Sequence, residues 1–123
     1  MPRSRAAAKL RGMTTRRITT KHEYEASFQA PLFLLFKHSP TCPISARAFR
    51  EYEIFAAAHA DVPTAWVHVI DERPLARDAS ARTGVEHQSP QALLLAHGKA
   101  VWNASHDAIS RTSLAAACGA QRS

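Results

Sequence analysis

Six consecutive residues, Pro31-Leu32-Phe33-Leu34-Leu35-Phe36, carry no charged or polar side chain, and this run constrains the fold more than any other stretch. A strand with one wet face alternates apolar with polar residues, whereas a strand covered on both faces reads as an unbroken apolar run. Leu32 to Phe36 is therefore expected to be a central strand with helices above and below it. Lys37-His38-Ser39-Pro40-Thr41 interrupts the run. Cys42-Pro43-Ile44-Ser45 then opens a segment with Ile44, Ala48, Ile54, Phe55 and Ala58 at helical spacing, reaching about Ala60. Pro43 falls in the first turn of that helix, where a missing N–H costs nothing.

A single thiol is thus expected where a buried strand gives way to a helix. Thiol exchange needs thiolate, and a helix N-terminus offers unpaired N–H groups and the positive end of a dipole, which can bring a cysteine from about 8.5 into roughly the 3.5 to 7.5 range. The position that would complete a CxxC pair carries Ser45. An active site here would need a resolving thiol from elsewhere.

The rest of the chain supplies matching elements. Ile18-Thr19-Thr20 reads as a short strand, and Thr20 with Glu23 as a capping box for a helix to about Gln29. Thr64 to Ile70 alternates as a second strand, which must run parallel to the first because a helix separates them. Pro74 to Thr83 reads as a helix ended by Gly84. Gln91 to Ala96 and Lys99 to Ala104 form a hairpin about His97-Gly98, and Ser105 or Asp107 caps a last helix to about Cys118. This order matches the thioredoxin fold: an α/β domain with a central mixed sheet flanked by helices, its site at the carboxyl end of the central strand.

Charge is distributed unevenly. Arg3, Arg5, Lys9, Arg11, Arg16 and Arg17 precede every acidic residue, and from position 18 onward ten basic residues face ten acidic ones. The formal net charge of +6 therefore sits in a terminal segment, whereas a nucleic-acid reader carries its basic patch on the folded face. Residues 1–17 read as a flexible, disordered basic extension, with an organellar transit segment or an initiator at Met13 as other readings, and 18–123 as one domain. No apolar run reaches the ~20 residues of a membrane span. Two cysteines are too few for a secreted disulfide framework, so a cytoplasmic protein without nucleic-acid or membrane partners is expected.

Three blocks, Phe36-Lys37-His38-Ser39 with Thr41-Cys42-Pro43-Ile44-Ser45, Thr83-Gly84-Val85 with His87 and Ser89-Pro90-Gln91-Ala92-Leu93-Leu94, and Ala104-Ser105-His106, resemble the monothiol bacilliredoxins of the YtxJ type over nearly all of residues 18 to 118. The resemblance implies a monomeric thioredoxin-like thiol-disulfide oxidoreductase. It would remove bacillithiol from S-bacillithiolated proteins through a Cys42 mixed disulfide, with bacillithiol as co-substrate and no bound cofactor or metal. Bacillithiol or a thioredoxin-type reductant would then free Cys42.

Around Cys42, Lys37 and His38 could favour the thiolate by positive charge, and Ser45 could donate a hydrogen bond to it. Thr41, Pro43, Ser89, Pro90, Gln91 and His106 are the candidate substrate contacts. Pro90 is the expected cis proline, whose neighbouring backbone could receive an extended substrate. His87 and Gln91 flank it and could help seat a thiol ligand. Cys118 lies some 11 residues, about 17 Å, along the last helix, and reads as a buried inert thiol. Trp66 and Trp102 read as packing residues. Two other functions compete: an iron-sulfur carrier like the monothiol glutaredoxins, which carry glycine and phenylalanine where Pro43 and Ile44 stand, and a non-catalytic binding module.

Overall fold

The computed structural model describes residues 15–122. The expected extension falls mostly on residues 1–14, outside the described residues. Its last part, Arg16 and Arg17, belongs to the folded unit: the Arg16 carbonyl accepts from the Trp66 N–H at 2.9 Å, and the Arg17 guanidinium pairs with Asp71 at 3.0 Å.

The described residues form four helices and four strands: α1 Lys21–Ser27, β1 Leu32–His38, α2 Pro43–Ala58, β2 Thr64–His68, α3 Arg73–Thr83, β3 Gln91–Ala96, β4 Lys99–Ser105, a 3-10 turn His106–Ala108, and α4 Arg111–Arg122. The sheet order is β2-β1-β3-β4, with β1 and β2 parallel and the other two pairings antiparallel. Leu34 and Phe36 of β1 pack with Ala48, Tyr52 and Phe55 of α2 and with Leu114 and Cys118 of α4. Phe33 and Leu35 pack the other way, with Tyr24 of α1 and Ala76 and Ala79 of α3. Each such buried large side chain contributes about 1.5 to 3 kcal/mol relative to exposure, and two-sided coverage is why β1 carries no polar alternation.

Three expectations are corrected. The Ile18-Thr20 strand is reduced to one isolated bridge between Arg17 and Trp66, because Thr20 is already the N-cap of α1, accepting from the Glu23 N–H while Glu23 caps back. The chain is still extended at Thr20 but turns into the helix at Lys21, which leaves no room for further pairing. On α2 the inward face is Ser45, Ala48, Tyr52, Phe55 and Ala56; Ile44 is exposed, so the expected apolar stripe was one position out of phase at its start. The last helix begins at Arg111 rather than near Asp107. Ser110 and Ser113 exchange side-chain to backbone hydrogen bonds at 3.0 Å in both directions and so cap it.

The hairpin turn His97-Gly98 has positive φ at both residues, 51° and 81°, the primed geometry that matches strand twist. A Cβ on Gly98 would lie 2.8 Å from the Phe28 carbonyl oxygen, so glycine is required there.

Candidate active site

Cys42 is the N-cap residue of α2, with extended backbone (φ −98°, ψ 124°) and Pro43 directly after it. Its N–H donates to the Ser39 carbonyl at 3.0 Å and its carbonyl accepts from Ala46 at 2.9 Å, which fixes the residue at the mouth of the helix. The side chain makes no capping hydrogen bond and is a partly exposed free thiol. The thiol therefore stands at the positive end of a 16-residue helix whose first-turn amides have no side-chain cap.

Beneath it, Ser45 is fully buried. Its hydroxyl is joined to His38 Nδ1 at 2.8 Å and accepts the Ser39 N–H at 2.9 Å. These are its partners in place of Cys42, so the expected serine-to-thiolate hydrogen bond gives way to one that ties the loop to the helix. His38 is buried, stacked on Phe49 with ring centroids 4.1 Å apart, and edge-on to Trp66 at 5.3 Å. Burial, with repulsion from His68, pushes its ring down to about 4. At neutral pH His38 is uncharged, and the expected cationic help to the thiol is not available from it.

Lys37 lies on the other face of the sheet. Alternation puts it with Phe33 and Leu35, against α3, and its Nζ reaches Ser80 Oγ at 3.0 Å and His87 Nδ1 at 3.1 Å. It is fully buried, pairs with no carboxylate among the described residues, and desolvation brings it down to about 8. Its reading as a charge beside Cys42 is replaced by that of a buried ammonium under α3.

The Ser89-Pro90 peptide bond is cis. Since Gln91 pairs with Lys37 across β1 and β3, Pro90 is next in line beside His38, at the same sheet end as the thiol. The Pro90 carbonyl accepts the His106 N–H at 3.2 Å, which draws the 3-10 turn to that end. Thr41 and Pro43 are exposed, and Ser89 and His106 partly so. Gln91 is 1% exposed. Its amide nitrogen donates to the Glu86 carbonyl at 2.9 Å, and the side chain faces α3 with Lys37, so it shapes the loop before Pro90 from inside. Of the residues proposed to meet substrate, Thr41, Cys42, Pro43, Ser89, Pro90 and His106 share one end of the sheet, while Gln91 lies beneath.

Sequence reasoning missed the aromatic enclosure of His38. Phe49 lies four residues after Ser45 on the inner face of α2, a spacing that could have revealed it. Trp66 and His68 come from β2 and leave no local signal.

Cys118 is buried among the core side chains, and burial raises its thiol. Asp61 and Arg122 act on it electrostatically. Both lie past the C-terminal end of α2, whereas Cys42 caps its N-terminus, and α2 is about 24 Å long. No three His, Cys, Asp or Glu side chains among the described residues are grouped to hold a metal ion, and no helix among them is long and apolar enough to cross a membrane.

The solved structures that resemble this chain share its architecture. A proposed oxidoreductase with a thioredoxin fold is 32% identical, superposes with a TM-score of 0.79, and the match covers 85% of this chain and 93% of that one. Thioredoxin NaTrxh from Nicotiana alata (17% identity, TM-score 0.72, 89% and 94% covered) and Fasciola hepatica thioredoxin (18%, 0.69, 87% and 99%) support the fold. The family model for the monothiol bacilliredoxin BrxC matches residues 16–114, a span that holds the whole Cys42 loop, the cis Pro90 and the His106 turn. With thiol, cis proline and sheet order all in place, the chain is a member of the monothiol bacilliredoxin BrxC family, a thiol-redox family with the thioredoxin fold.

Proposed function

We propose that this protein is a monothiol thiol-disulfide oxidoreductase that removes bacillithiol from S-bacillithiolated proteins. The observation that supports it most is the pairing of a partly exposed Cys42 at the N-terminus of α2 with a buried Ser45 at the place of a second cysteine. The Cys42 thiolate attacks the bacillithiol sulfur of the client's mixed disulfide. A new S–S bond forms to Cys42 as the old one breaks, and the client cysteine leaves as a thiolate that takes a proton from solvent. One thiol and one disulfide become one disulfide and one thiol, so no external electrons are needed.

With no thiol at position 45, the Cys42 adduct persists until a second thiol arrives. Free bacillithiol attacks the adduct's outer sulfur and releases Cys42 together with bacillithiol disulfide, or a thioredoxin-type reductant performs the same exchange. Bacillithiol enters as co-substrate, the protein acts as a monomer, and a reducing cytoplasm suits the cycle.

The test incubates a bacillithiolated client with wild type, Cys42→Ala and Cys118→Ala and follows adduct transfer by intact mass. Wild type and Cys118→Ala gain the adduct and restore the client, while Cys42→Ala does neither. Transfer abolished by Cys118→Ala would reject the single-thiol mechanism.

A further inference from the structure

Between α3 and the segment after β2 lies a cavity of about 110 Å³ lined by Val69, Ile70, Arg73, Ala76, Arg77 and His87. We propose that it binds a small dicarboxylate, the acidic end of the low-molecular-weight thiol whose sulfur meets Cys42, an inference that rests on the function proposed above. Arg73 is the first residue of α3, where the positive end of the helix dipole disfavours a cation. Arg77 follows four residues later on the same helix face, a like-charge spacing that is also unfavourable.

Neither arginine forms an ion pair among the described residues. The nearby acids are accounted for: Asp71 is taken by Arg17 and His68, Asp78 by Arg82 and Tyr24, and neither Glu72 nor Glu86 pairs with Arg73 or Arg77. Behind the cavity, the Nδ1 of His87 is held by the buried Lys37 ammonium at 3.1 Å, and burial first, then the charges of Lys37 and Arg77, push the His87 ring down. Two guanidinium groups and the His87 ring therefore line one small opening, with the Lys37 ammonium buried behind His87, and no carboxylate among the described residues pairs with either arginine. An anion supplies what the fold lacks, and two guanidinium groups on adjacent turns suit two carboxylates.

The opening lies on the α3 face of the sheet, near the end at which Cys42 stands. The Val69 N–H donates to the His38 carbonyl at 3.0 Å, and His87 comes two residues before the cis Ser89-Pro90 bond, so both rims belong to segments that flank the Cys42 end of the sheet. Bacillithiol carries a malyl dicarboxylate remote from its sulfur, which is the chemistry this opening fits.

Two measurements separate this site from the exchange reaction. L-malate titrated into the full chain, followed by NMR, should shift the Arg73, Arg77 and His87 resonances with millimolar affinity, and Arg73→Gln/Arg77→Gln should abolish the response. This arm needs no exchange activity. The second compares the rates at which bacillithiol and 2-mercaptoethanol adducts of one client are removed. The ratio should fall roughly tenfold in the double variant, the loss of a charge-assisted contact, and recover in part in Arg73→Lys/Arg77→Lys. If malate leaves the wild-type resonances unmoved, shifts them equally in the double variant, or is matched by neutral malamide, the dicarboxylate site is wrong. An unchanged rate ratio overturns it too. A wild type that binds malate here but exchanges neither adduct would keep the site and reject the function.

Discussion

The imidazole of His38 and the hydroxyl of Ser45 are bonded at 2.8 Å, buried directly beneath the helix end that Cys42 caps. The same hydroxyl accepts the Ser39 N–H, so one serine joins the end of β1, the loop before the thiol and the first turn of α2. The Cys42 loop is thus tied to the helix through hydrogen bonds between groups that carry no charge.

Ser45→Ala should therefore destabilise the fold. It leaves the Ser39 N–H and His38 Nδ1 unsatisfied in a buried place, which costs about 1 to 3 kcal/mol, and thermal melts should show a midpoint lower by several degrees. A midpoint equal to that of wild type would mean that the junction contributes nothing.

His38 makes stability depend on pH. Its ring titrates near 6.5 when unfolded and about 4 in the native protein, so the unfolded chain binds the extra proton first as pH falls. The contribution is fully present above about pH 6.5, is lost as pH falls to about 4, and amounts to about 3 kcal/mol. His87 is lowered as well and adds in the same direction. Urea titrations between these limits should show a steep slope for wild type and a shallower one for His38→Gln. Parallel slopes would count against a buried neutral His38.

How much of this was legible in the sequence depends on where each residue finds its partners. β1 was readable because cover on both faces makes a run of apolar side chains, and Thr20 with Glu23 because a capping box is local. The thiol at a helix start and the proline before β3 were readable for the same reason. Lys37 and His38 read as the end of the strand, yet β1 continues through both, buried. Their partners are Ser80 and His87, 43 and 50 residues away, and Ser45, seven residues on. No periodicity encodes such pairings. The opening beside Arg73 and Arg77 was invisible for a related reason, since basic residues at helical spacing ordinarily read as a solvated face.

Lys37 gives a pH dependence of the same sign at higher pH. Burial holds its ammonium down to about 8 against an ordinary 10.5, so below about pH 8 the folded state carries a charge that it disfavours. The unfolded chain keeps the proton until higher pH, and stability rises between about 8 and 10.5. Lys37→Met should remove that rise and stabilise the protein at pH 7 by about 1 to 2 kcal/mol, the lost bonds to Ser80 and His87 offsetting part of the relief. Chemical denaturation at pH 7 and pH 10 measures both effects, and a variant weaker than wild type at pH 7 would show that those bonds outweigh desolvation.

The two thiols should differ sharply towards an alkylating reagent. Cys42 is partly exposed at the mouth of α2, while Cys118 is 3% exposed in the core that joins α2 to α4, with its thiol raised by burial. Alkylation requires the thiolate and a path to it. Cys42 meets the second condition in the native state, whereas Cys118 needs α4 to detach from the sheet, an opening close to global unfolding because Leu114 and Ala117 are buried beside it. Iodoacetamide should add one label to the native chain, at Cys42, and a second only in denaturant. Stabilising the fold should slow the second addition and leave the first unchanged. Native labelling of Cys118 at a rate near that of Cys42 would show that α4 opens readily, and would return Cys118 to consideration as a resolving thiol.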